Sequence, residues 1–575
     1  ANVTAAKIVS GADFTFNSVV VGKGANSVAG NTVLGESALD AAVSGADNVA
    51  IGHSALTTLT SGTNNVAVGV EALGQTTTAS NNTAIGKHAL RVNTTGHSNT
   101  VVGAAALDAN TTGDYNTAIG RQALTANTTA DSNTSVGYGS LYTNTTGASN
   151  TALGVNALTA NTTASNNTAV GFDCLQANTT GADNVAVGGE ALANNTTAND
   201  NTAVGKAALR VNTTGANNTG IGRKALEVNT TGASNVAVGA YALDANTTAS
   251  GNTAIGYQTL TANTTGTGNV GVGSDSVLLA NTTGSYNVAI GVNSLKANTT
   301  ASYNTAVGTN SLDANTTGQY NSALGHATLS ANTTGDYNTA VGLTALENAT
   351  TADHNTGIGY AALNANTTGT QNVAVGSLAL DANTTANNNT AVGYASLSSS
   401  TTGNDNTAVG YNALFSNTTA ASNTAVGRGA LFANTTGTQN NAVGANALDA
   451  CTTGERNQAM GFNSLTALTT GYRNVAIGND SMVTLTSGDN NVAVGEQALY
   501  YNTANHNTAL GSKALTSTTT GAENVAVGSQ ALNANTTGAD SVAIGREAAK
   551  DLTTGSNSVA IGKSALNKCT TSEYN

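Results

Sequence analysis

Small and β-branched residues alternate over three positions, and this pattern recurs along the chain every 17 residues. In Asn116-Thr117-Ala118-Ile119-Gly120, the side chains of Thr117 and Ile119 share one side of the backbone and Ala118 takes the other. A period of two predicts a β-strand. Two variable residues and an Ala-Leu pair follow the glycine, and Asn-Thr-Thr-Gly then supplies residue types that favour a turn.

The repeat extends from Gly35 to Gly562, with glycine at the end of every predicted strand. A fixed period this short is typical of a solenoid, in which each repeat forms one coil that stacks on its neighbours. Seventeen residues are too few for a helical hairpin, so we expect two short strands and two turns in each coil. The structural anchors of the coil are its glycine and its leucine, represented by Gly52, Gly120, Gly393, Gly562, Leu124 and Leu158.

We therefore predict an all-β rod, a parallel β-solenoid or β-roll of about 32 stacked 17-residue coils. A lead-in segment is expected over residues 1–30 and a continuous repeat over residues 31–575. The interval from Gly273 to Gly291 has 18 residues and that from Gly495 to Gly511 has 16. We expect both changes in the Asn-Thr-Thr-Gly turn, where a change of length costs little. We also expect left-handed backbone at Asn and Gly of this turn, and side-chain ladders along the stacked Asn and Thr columns.

The middle residue of the predicted strand is small or nearly so in every repeat, as Ala50, Ala67 and Ala84 show. A solvent-facing position would accept Lys, Glu or Gln, so we infer that something packs closely against this side of the strand. One coil offers one Leu, two β-branched residues and two Ala to a core, which is thin for an isolated chain. A homotrimer, with strand faces packed around a common axis, would bury both sides of the strand.

The overall composition fits a strand-rich rod. Pro is absent and 9% of the residues are charged. Pro cannot donate to a strand ladder, and low charge argues against disorder. The net charge of −13 carries no basic stripe, which argues against nucleic-acid binding. No stretch of the sequence approaches the ~20 apolar residues of a membrane span.

The sequence offers no residue set for catalysis or metal binding. The six histidines share no column on adjacent coils, and calcium-binding nonapeptides, a nucleophile elbow and a phosphate loop are missing. We predict that the chain is not an enzyme and holds no cofactor and no metal. Cys174, Cys451 and Cys569 are too few for a disulfide framework. The last two replace the Asn of Asn-Thr-Thr, and we interpret them as tolerated surface substitutions. The Asn-Thr-Thr triplets are also formal glycosylation sequons, whose number reflects the repeat.

Tyrosines recur in one column of the repeat, and they are Tyr286, Tyr303, Tyr320 and Tyr337, with Tyr115 further away. Two interpretations stay open for this column: a platform that contacts glycans, or a self-stacking ladder that stiffens one edge. A second set follows the glycine, and we interpret it as solvated turn decoration; it consists of Tyr257, Tyr360, Tyr394 and Tyr411.

Several segments resemble known fibre proteins. Ser541-Val542-Ala543-Ile544-Gly545, Ser558-Val559-Ala560-Ile561-Gly562 and Asn48-Val49-Ala50-Ile51-Gly52 resemble the head motif of YadA-type trimeric autotransporter adhesins. Asn389-Thr390-Ala391-Val392-Gly393-Tyr394 is similar to the longer repeats of phage tail-fibre proteins, and Phe14–Gly22 to their lead-in. The resemblance covers about nine-tenths of the chain. It implies a left-handed parallel β-roll made by three chains.

We therefore expect a structural and adhesive fibre, either a phage tail fibre or a segment of a bacterial surface adhesin. The expected location is extracellular, on a virion or a cell surface, and the lack of a secretory signal pattern favours the virion. Expected partners are the chain itself, as homotrimer or filament, and a cell-surface glycan or other receptor. The alternatives are a self-assembling extracellular filament and an ice-binding or surface-binding solenoid. Ice binding favours Thr-x-Thr arrays, whereas the two Thr of Asn-Thr-Thr are adjacent.

Overall fold

The computed structural model describes residues 13–571, which consist of short strands and turns with almost no helix. They divide into two compact units, with the boundary between Tyr286 and Asn287. Within each unit the chain forms the predicted parallel β-solenoid, with strands at a spacing of 17 residues. The predicted lead-in over residues 1–30 lies partly outside the described residues; from residue 13 it contains two strands and a 3-10 turn at Ala25–Ser27.

The described strands of the first unit are β1 Phe14–Phe16, β2 Val19–Gly22, β3 Thr32–Gly35, β4 Val49–Ile51, β5 Val66–Val68, β6 Thr83–Ile85, β7 Thr100–Val102, β8 Thr117–Ile119, β9 Thr134–Val136, β10 Thr151–Leu153, β11 Thr168–Val170, β12 Val185–Val187, β13 Thr202–Val204, β14 Thr219–Ile221, β15 Val236–Val238, β16 Thr253–Ile255 and β17 Val270–Val272. Those of the second unit are β18 Val288–Ile290, β19 Thr305–Val307, β20 Ser322–Leu324, β21 Thr339–Val341, β22 Thr356–Ile358, β23 Val373–Val375, β24 Thr390–Val392, β25 Thr407–Val409, β26 Thr424–Val426, β27 Asn441–Val443, β28 Gln458–Met460, β29 Val475–Ile477, β30 Val492–Val494, β31 Thr508–Leu510, β32 Val525–Val527, β33 Val542–Ile544 and β34 Val559–Ile561.

Neighbouring strands pair in register within each unit. β2 pairs antiparallel with β1 and with β3, and the pairing is parallel from β3 onward. Thr117 of β8 pairs with Thr134 of β9, so one coil advances the chain by one strand spacing. Each repeat contains a single strand, so the expectation of two strands per coil is wrong. The rest of the coil bonds to the next coil through turns, as when Leu107 N–H donates to Ala123 O at 2.9 Å.

The middle residue of each strand points into the coil, where it meets the leucine. Ala118 is fully buried, and so are the anchors Leu124 and Leu158. A Cβ added to Gly220, a glycine at the middle position, would lie 3.3 Å from Leu209 Cγ of the preceding coil. The chain's own leucine therefore limits the size of the middle residue. Close packing against this side of the strand is therefore confirmed, but the group that packs there is the chain's own leucine and not another chain.

The asparagine before each strand, here called the strand asparagine, links successive coils. Asn116 N–H donates to Asn99 Oδ1 at 2.9 Å, and Asn116 Nδ2 donates to Ala130 O at 2.9 Å. The bond to the backbone N–H recurs through each unit, and strand asparagines are buried. Where serine replaces asparagine, Ser541 Oγ still accepts the N–H of Ser558, at 3.3 Å. A serine at this position therefore still offers an oxygen to the next coil.

The first residue of Asn-Thr-Thr, here called the turn asparagine, forms a second ladder. Asn110 Nδ2 donates to Asn93 Oδ1 at 2.9 Å and to Gly113 O at 3.0 Å. The first threonine donates its hydroxyl to the same threonine of the next coil, as Thr111 Oγ1 does to Thr128 O at 2.9 Å. The predicted asparagine and threonine ladders are confirmed.

Left-handed backbone occurs at other positions than expected. In a typical coil the residues with positive φ include Tyr115 at 57°, Gln122 at 59° and Leu124 at 54°, but not the turn asparagine, so that expectation is wrong. The strand glycines have φ values such as 130° at Gly120, and a Cβ there would lie 2.6 Å from Gly137 O. Both the conformation and the close stacking require glycine at this anchor.

The two coils of unusual length differ in where they change. Three residues separate Gly273 from Val277, whose carbonyl accepts the N–H of Leu260 as the alanine of Ala-Leu does elsewhere. The extra residue of the 18-residue interval therefore lies after the glycine, and the expected location was wrong. The 16-residue interval is shortened in the Asn-Thr-Thr turn as expected, because Asn502-Thr503 runs directly into Ala504.

Outer positions are named from the anchors: glycine+1 and glycine+2 follow the strand glycine, and leucine+1 follows the leucine. A donor at leucine+1 can bond to the glycine+2 carbonyl of the preceding coil, as Thr125 Oγ1 does to Ala105 O at 2.9 Å and Asn364 Nδ2 to Thr344 O at 2.9 Å. At three coils leucine+1 is an aspartate whose pKa is raised by burial; these are Asp244, Asp313 and Asp381. An ionised carboxylate cannot donate to that carbonyl.

Replacement of a strand asparagine by leucine should destabilise the protein strongly. Asn321→Leu removes the Oδ1 that accepts Asn338 N–H at 2.9 Å and leaves a buried backbone donor unpaired. We expect a loss of about 2–4 kcal/mol in the free energy of unfolding. Urea unfolding measures the loss, and hydrogen exchange at the amide of Asn338 locates it.

The matched control is Asn315→Leu, the same change at a turn asparagine. Asn315 Oδ1 accepts the side-chain amide of Asn332 rather than a backbone N–H. Leucine also occurs naturally at this position, as Leu468 and Leu485. We expect a loss below about 1 kcal/mol, and equal losses in the two variants would contradict the role of the strand asparagine.

Asp313→Asn should stabilise the protein near neutral pH. The folded state raises the pKa of Asp313 above its ordinary value of 3.8, so the ionised carboxylate is disfavoured at every pH above the raised pKa. That cost disappears as the pH falls below 3.8. Asparagine can donate to the glycine+2 carbonyl, as Asn364 does. We expect a gain of a few tenths to about 1 kcal/mol at neutral pH that shrinks on acidification.

Thermal unfolding at neutral and acidic pH measures the effect of Asp313→Asn. Asp540→Asn, at an exposed position, is the control and should change stability at neither pH. A destabilised Asp313→Asn variant at neutral pH would show that the carboxylate is needed in the folded state.

Candidate functional site

The outward side chains of the strands form the most regular exposed surface of each unit. This strand face consists of the first and third residues of each strand, and it carries mainly Thr or Val in one column and Val or Ile in the other. Ile119 is 39% exposed, Ile358 38% and Ile544 40%. The prediction that these β-branched residues fill the core of a single coil is therefore wrong.

Charged residues are missing from all of the strands that the structure describes. Amide residues interrupt the first column in β27 and β28, and there Asn441 Nδ2 donates to Gln458 Oε1 at 2.8 Å, so the two polar groups satisfy each other. An uncharged surface with half-exposed aliphatic side chains at every coil is costly to leave in water. The strand face is therefore the principal candidate for an interface.

Aromatic rings stack on successive coils in the second unit. The tyrosine ladder consists of Tyr303, Tyr320, Tyr337 and, beyond the predicted tyrosines, His354. Its ring centroids lie 5.1, 4.9 and 4.9 Å apart, and neighbouring rings are within 4° of parallel. Each inner ring therefore has a neighbour against both faces.

This geometry supports the self-stacking interpretation of the ladder. A sugar packs its C–H face on the face of an aromatic ring, and the inner faces of Tyr320 and Tyr337 are covered. Exposed ring edges remain, with Tyr320 45% and Tyr337 51% exposed. Tyr286 is part of the first unit, where it is 55% exposed and its ring lies beside Gly268. Glycan contact through this column stays a prediction.

A polar column runs beside the ladder and fixes its backbone. Gln319 N–H donates to Asp336 Oδ1 at 2.6 Å, and Asp336 N–H donates to Asp353 Oδ1 at 2.7 Å. Each aspartate thus accepts a backbone N–H from the preceding coil. Because the stacked residues have positive φ, 57° in Tyr320 for example, these bonds help to hold a strained turn.

The second set of tyrosines is exposed, as expected, but it also makes ring contacts. Tyr257 packs edge to face with Tyr241 at 6.3 Å, and Tyr394 stacks on Tyr411 at 5.5 Å. Tyr360 is 54% exposed. The interpretation as solvated decoration is therefore incomplete.

Sequence reasoning missed a pair of phenylalanines beside Tyr394 and Tyr411. Phe415 and Phe432 occupy leucine+1 of successive coils and stack at 5.3 Å. Arg428, at glycine+1, follows Tyr411 in its column, and Gly429 stands next to it at glycine+2. Comparison of the variable columns side by side would have shown this combination, because each residue is unremarkable within its own column.

The cysteines and the sequons lie deeper than expected. Cys451 occupies the turn-asparagine position and is fully buried, so its interpretation as a surface substitution is wrong, and burial raises its pKa to about 11. Cys174 is also buried, and Cys569 is partly exposed. Turn asparagines such as Asn110 are fully buried and bonded within their ladder, so a glycan cannot be attached to them in the folded protein.

Within residues 13–571, no group of three or more His, Cys, Asp or Glu side chains is placed to hold a metal ion. His88 instead pairs with Glu71 at 3.5 Å. The same residues contain no helix that is long and apolar enough to cross a membrane. The sequence matches no model of a known protein family and no curated protein.

Proposed function

We propose that the chain is a subunit of a homotrimeric structural and adhesive fibre, in which three strand faces pack around a common axis. The supporting observation is the strand face itself, an uncharged and half-exposed aliphatic surface that recurs at every coil of both units. The proposed role is non-catalytic and extracellular, on a virion or a cell surface. Resemblance of the repeat to YadA-type adhesin heads and phage tail fibres favours the same arrangement, with left-handed coils.

The periodicity of the strand face favours a copy of the same chain as its partner. A partner that covers the face must present complementary groups at the same axial spacing, about 4.8 Å per coil. Another copy in register does so automatically, and cyclic symmetry brings identical faces together. Burial of a few tens of Å² of apolar surface per coil contributes about 1 kcal/mol per coil, which accumulates along the repeat.

Light scattering of the intact protein tests the trimer. We expect a native mass of three times 56.3 kDa. The triple variant Ile358→Lys, Val375→Lys and Val392→Lys places three ammonium groups on successive coils of the strand face, where the trimer would bury them unpaired. We expect the mass of this variant to fall to that of a monomer, with its circular dichroism unchanged.

The matched control carries the same substitutions on an exposed turn of the same part of the second unit, at Thr368, Thr385 and Thr402. This control should remain a trimer. A wild-type monomer would overturn the trimer, and a very large species in the wild type would indicate the filament instead.

A second candidate function is binding of a regular solid surface such as ice. The strand face presents Thr or Val and Val or Ile at fixed spacing, and the second threonine of each turn, Thr112 for example, is exposed. The first threonine is partly buried with its hydroxyl bonded to the next coil, so each turn presents a single free threonine column rather than a Thr-x-Thr array.

Thermal hysteresis distinguishes the two candidates. A trimer would bury the strand face, so we expect no hysteresis from the wild-type protein. The Lys triple variant should show none either, because it exposes charge on that face. Clear hysteresis from a wild-type monomer, lost in the Lys triple variant, would establish surface binding in place of the fibre.

A further inference from the structure

A small notch opens in the outer surface of the second unit at Gly429, where most other coils carry a side chain. Its volume is about 170 Å³, and the residues that line it include Tyr411, Asn412, Arg428, Gly429, Phe432 and Asp449. The floor is backbone at glycine+2, and the walls are side chains from three successive coils. A volume below that of a drug-sized pocket suits a single ring of a larger ligand.

Two aromatic stacks end at this notch. Tyr394 covers one face of Tyr411, and the next coil brings Arg428 rather than an aromatic residue into that column. Phe415 covers one face of Phe432, and the next coil brings Asp449. Tyr411 is 54% exposed and Phe432 38%. Each stack therefore ends in a ring whose second face has no aromatic neighbour, unlike the inner rings of the tyrosine ladder.

Gly429 also leaves a side-chain amide without its usual partner. Asparagines at glycine+2 donate to the glycine+2 residue of the next coil elsewhere, as Asn446 Nδ2 does to Asn463 Oδ1 at 3.2 Å. Asn412 is followed by Gly429 in this column, so Asn412 Nδ2 has no side-chain acceptor there. Ala395 precedes it in the column and offers no donor, and Asn412 Oδ1 is a buried polar atom with no hydrogen-bond partner. The amide thus keeps both its donor and its acceptor capacity for a ligand that its side chain can turn to meet.

Charged groups complete the wall. Arg428 is exposed and forms no ion pair among the described residues. Asp449 Oδ1 accepts the hydroxyl of Thr466 at 2.5 Å, which orients the carboxylate and leaves Oδ2 for another donor. The notch therefore combines apolar ring faces with a guanidinium, a carboxylate and an amide.

We propose that this notch binds one sugar ring of a glycan, with a C–H face of the ring against Phe432 and its hydroxyls bonded to Asn412, Arg428 and Asp449. A saccharide is the common ligand class that presents an apolar face and several hydroxyls on one ring. The inference specifies the receptor class of the proposed adhesive fibre, and three copies per trimer would add avidity to a weak single site.

The first unit also has a glycine at glycine+2, but without the guanidinium and the carboxylate of the notch: Tyr138 stands where the notch has Arg428, and Thr159 where it has Asp449. Gly139 occupies glycine+2, with Tyr138 at glycine+1 and Tyr142 at leucine+1. There the guanidinium of Arg121 lies 6.0 Å from the ring centroid of Tyr138, in cation–π contact. Gly139 therefore provides a matched position for substitution that is not part of the proposed site.

Saturation-transfer NMR with the full-length protein tests the proposal, using the methyl glycosides of glucose, galactose, mannose, N-acetylglucosamine and glucuronic acid as probes. We expect at least one of them to bind with a millimolar Kd. Gly429→Asn should weaken that binding at least tenfold, because the new side chain fills the notch and can accept the amide of Asn412. Asparagine is tolerated at this backbone position, since Asn412 and Asn446 both have φ of 55°.

Gly139→Asn is the control and should leave binding unchanged. Phe432→Ala supplies a second test if Gly429→Asn fails to fold, and it should also weaken binding at least tenfold. No binding by any of the five glycosides, or binding that survives both notch substitutions, would overturn the proposal. Binding of N-acetyl-tyrosinamide in their place would overturn it too, by assigning the notch to an aromatic peptide side chain.

Light scattering of the same samples separates this proposal from the proposed fibre. If the protein is a trimer but binds no glycoside, the proposed fibre stands and the notch is not its receptor site. If the protein is a monomer that binds a glycoside, and Gly429→Asn weakens that binding, the notch proposal stands and the trimer is overturned.

Discussion

The coil depends on one hydrogen bond, which the backbone N–H of each strand asparagine donates to the side-chain oxygen of the strand asparagine in the preceding coil. This bond lies in the buried interior, where an unpaired N–H would destabilise the fold, and it recurs along each unit. The acceptor must reach one strand spacing along the stack, which Asn99 Oδ1 does for Asn116 and Ser541 Oγ still does for Ser558. Because this bond joins equivalent residues, it fixes the register of every other column.

Close stacking then determines what the remaining positions accept. At the strand glycines a Cβ would lie about 2.6 Å from the next backbone carbonyl, as at Gly120, and the middle residue of the strand is limited by the leucine of the preceding coil. Ala, Leu and Asn side chains fill the interior of the coil and leave no room there for the β-branched residues. They are therefore placed outside, and a chain whose own core is complete still carries an apolar strand face.

The sequence predicted the features that depend on the repeat period. It did not predict those that depend on which side chains point into the coil and which point out. Parallel stacking, the leucine core and the Asn and Thr ladders all follow from equivalent residues meeting every 17 positions. An alternation such as Thr117-Ala118-Ile119 shows that two faces differ, but it does not show which face lies inside, because Ala and Ile are both compatible with burial. For the same reason Cys451 was placed at the surface: the turn asparagine it replaces is polar, and its burial in a ladder leaves no mark in a single repeat.

Constant and variable columns have different capacities for recognition. A constant column repeats the same group at every coil, so it can support self-association or contact with a regular lattice, but it cannot distinguish one place on the chain from another. Specific recognition has to come from variable columns, which include glycine+1, glycine+2, leucine+1 and the position before the strand asparagine. The tyrosine ladder occupies the last of these columns, and its rings cover each other. At Gly429 the other three columns change together: Arg428 and Asp449 end two aromatic stacks, and the missing side chain at Gly429 removes the acceptor for the amide of Asn412. A local departure from the repeat thus creates a defined chemical site on a surface that is otherwise periodic.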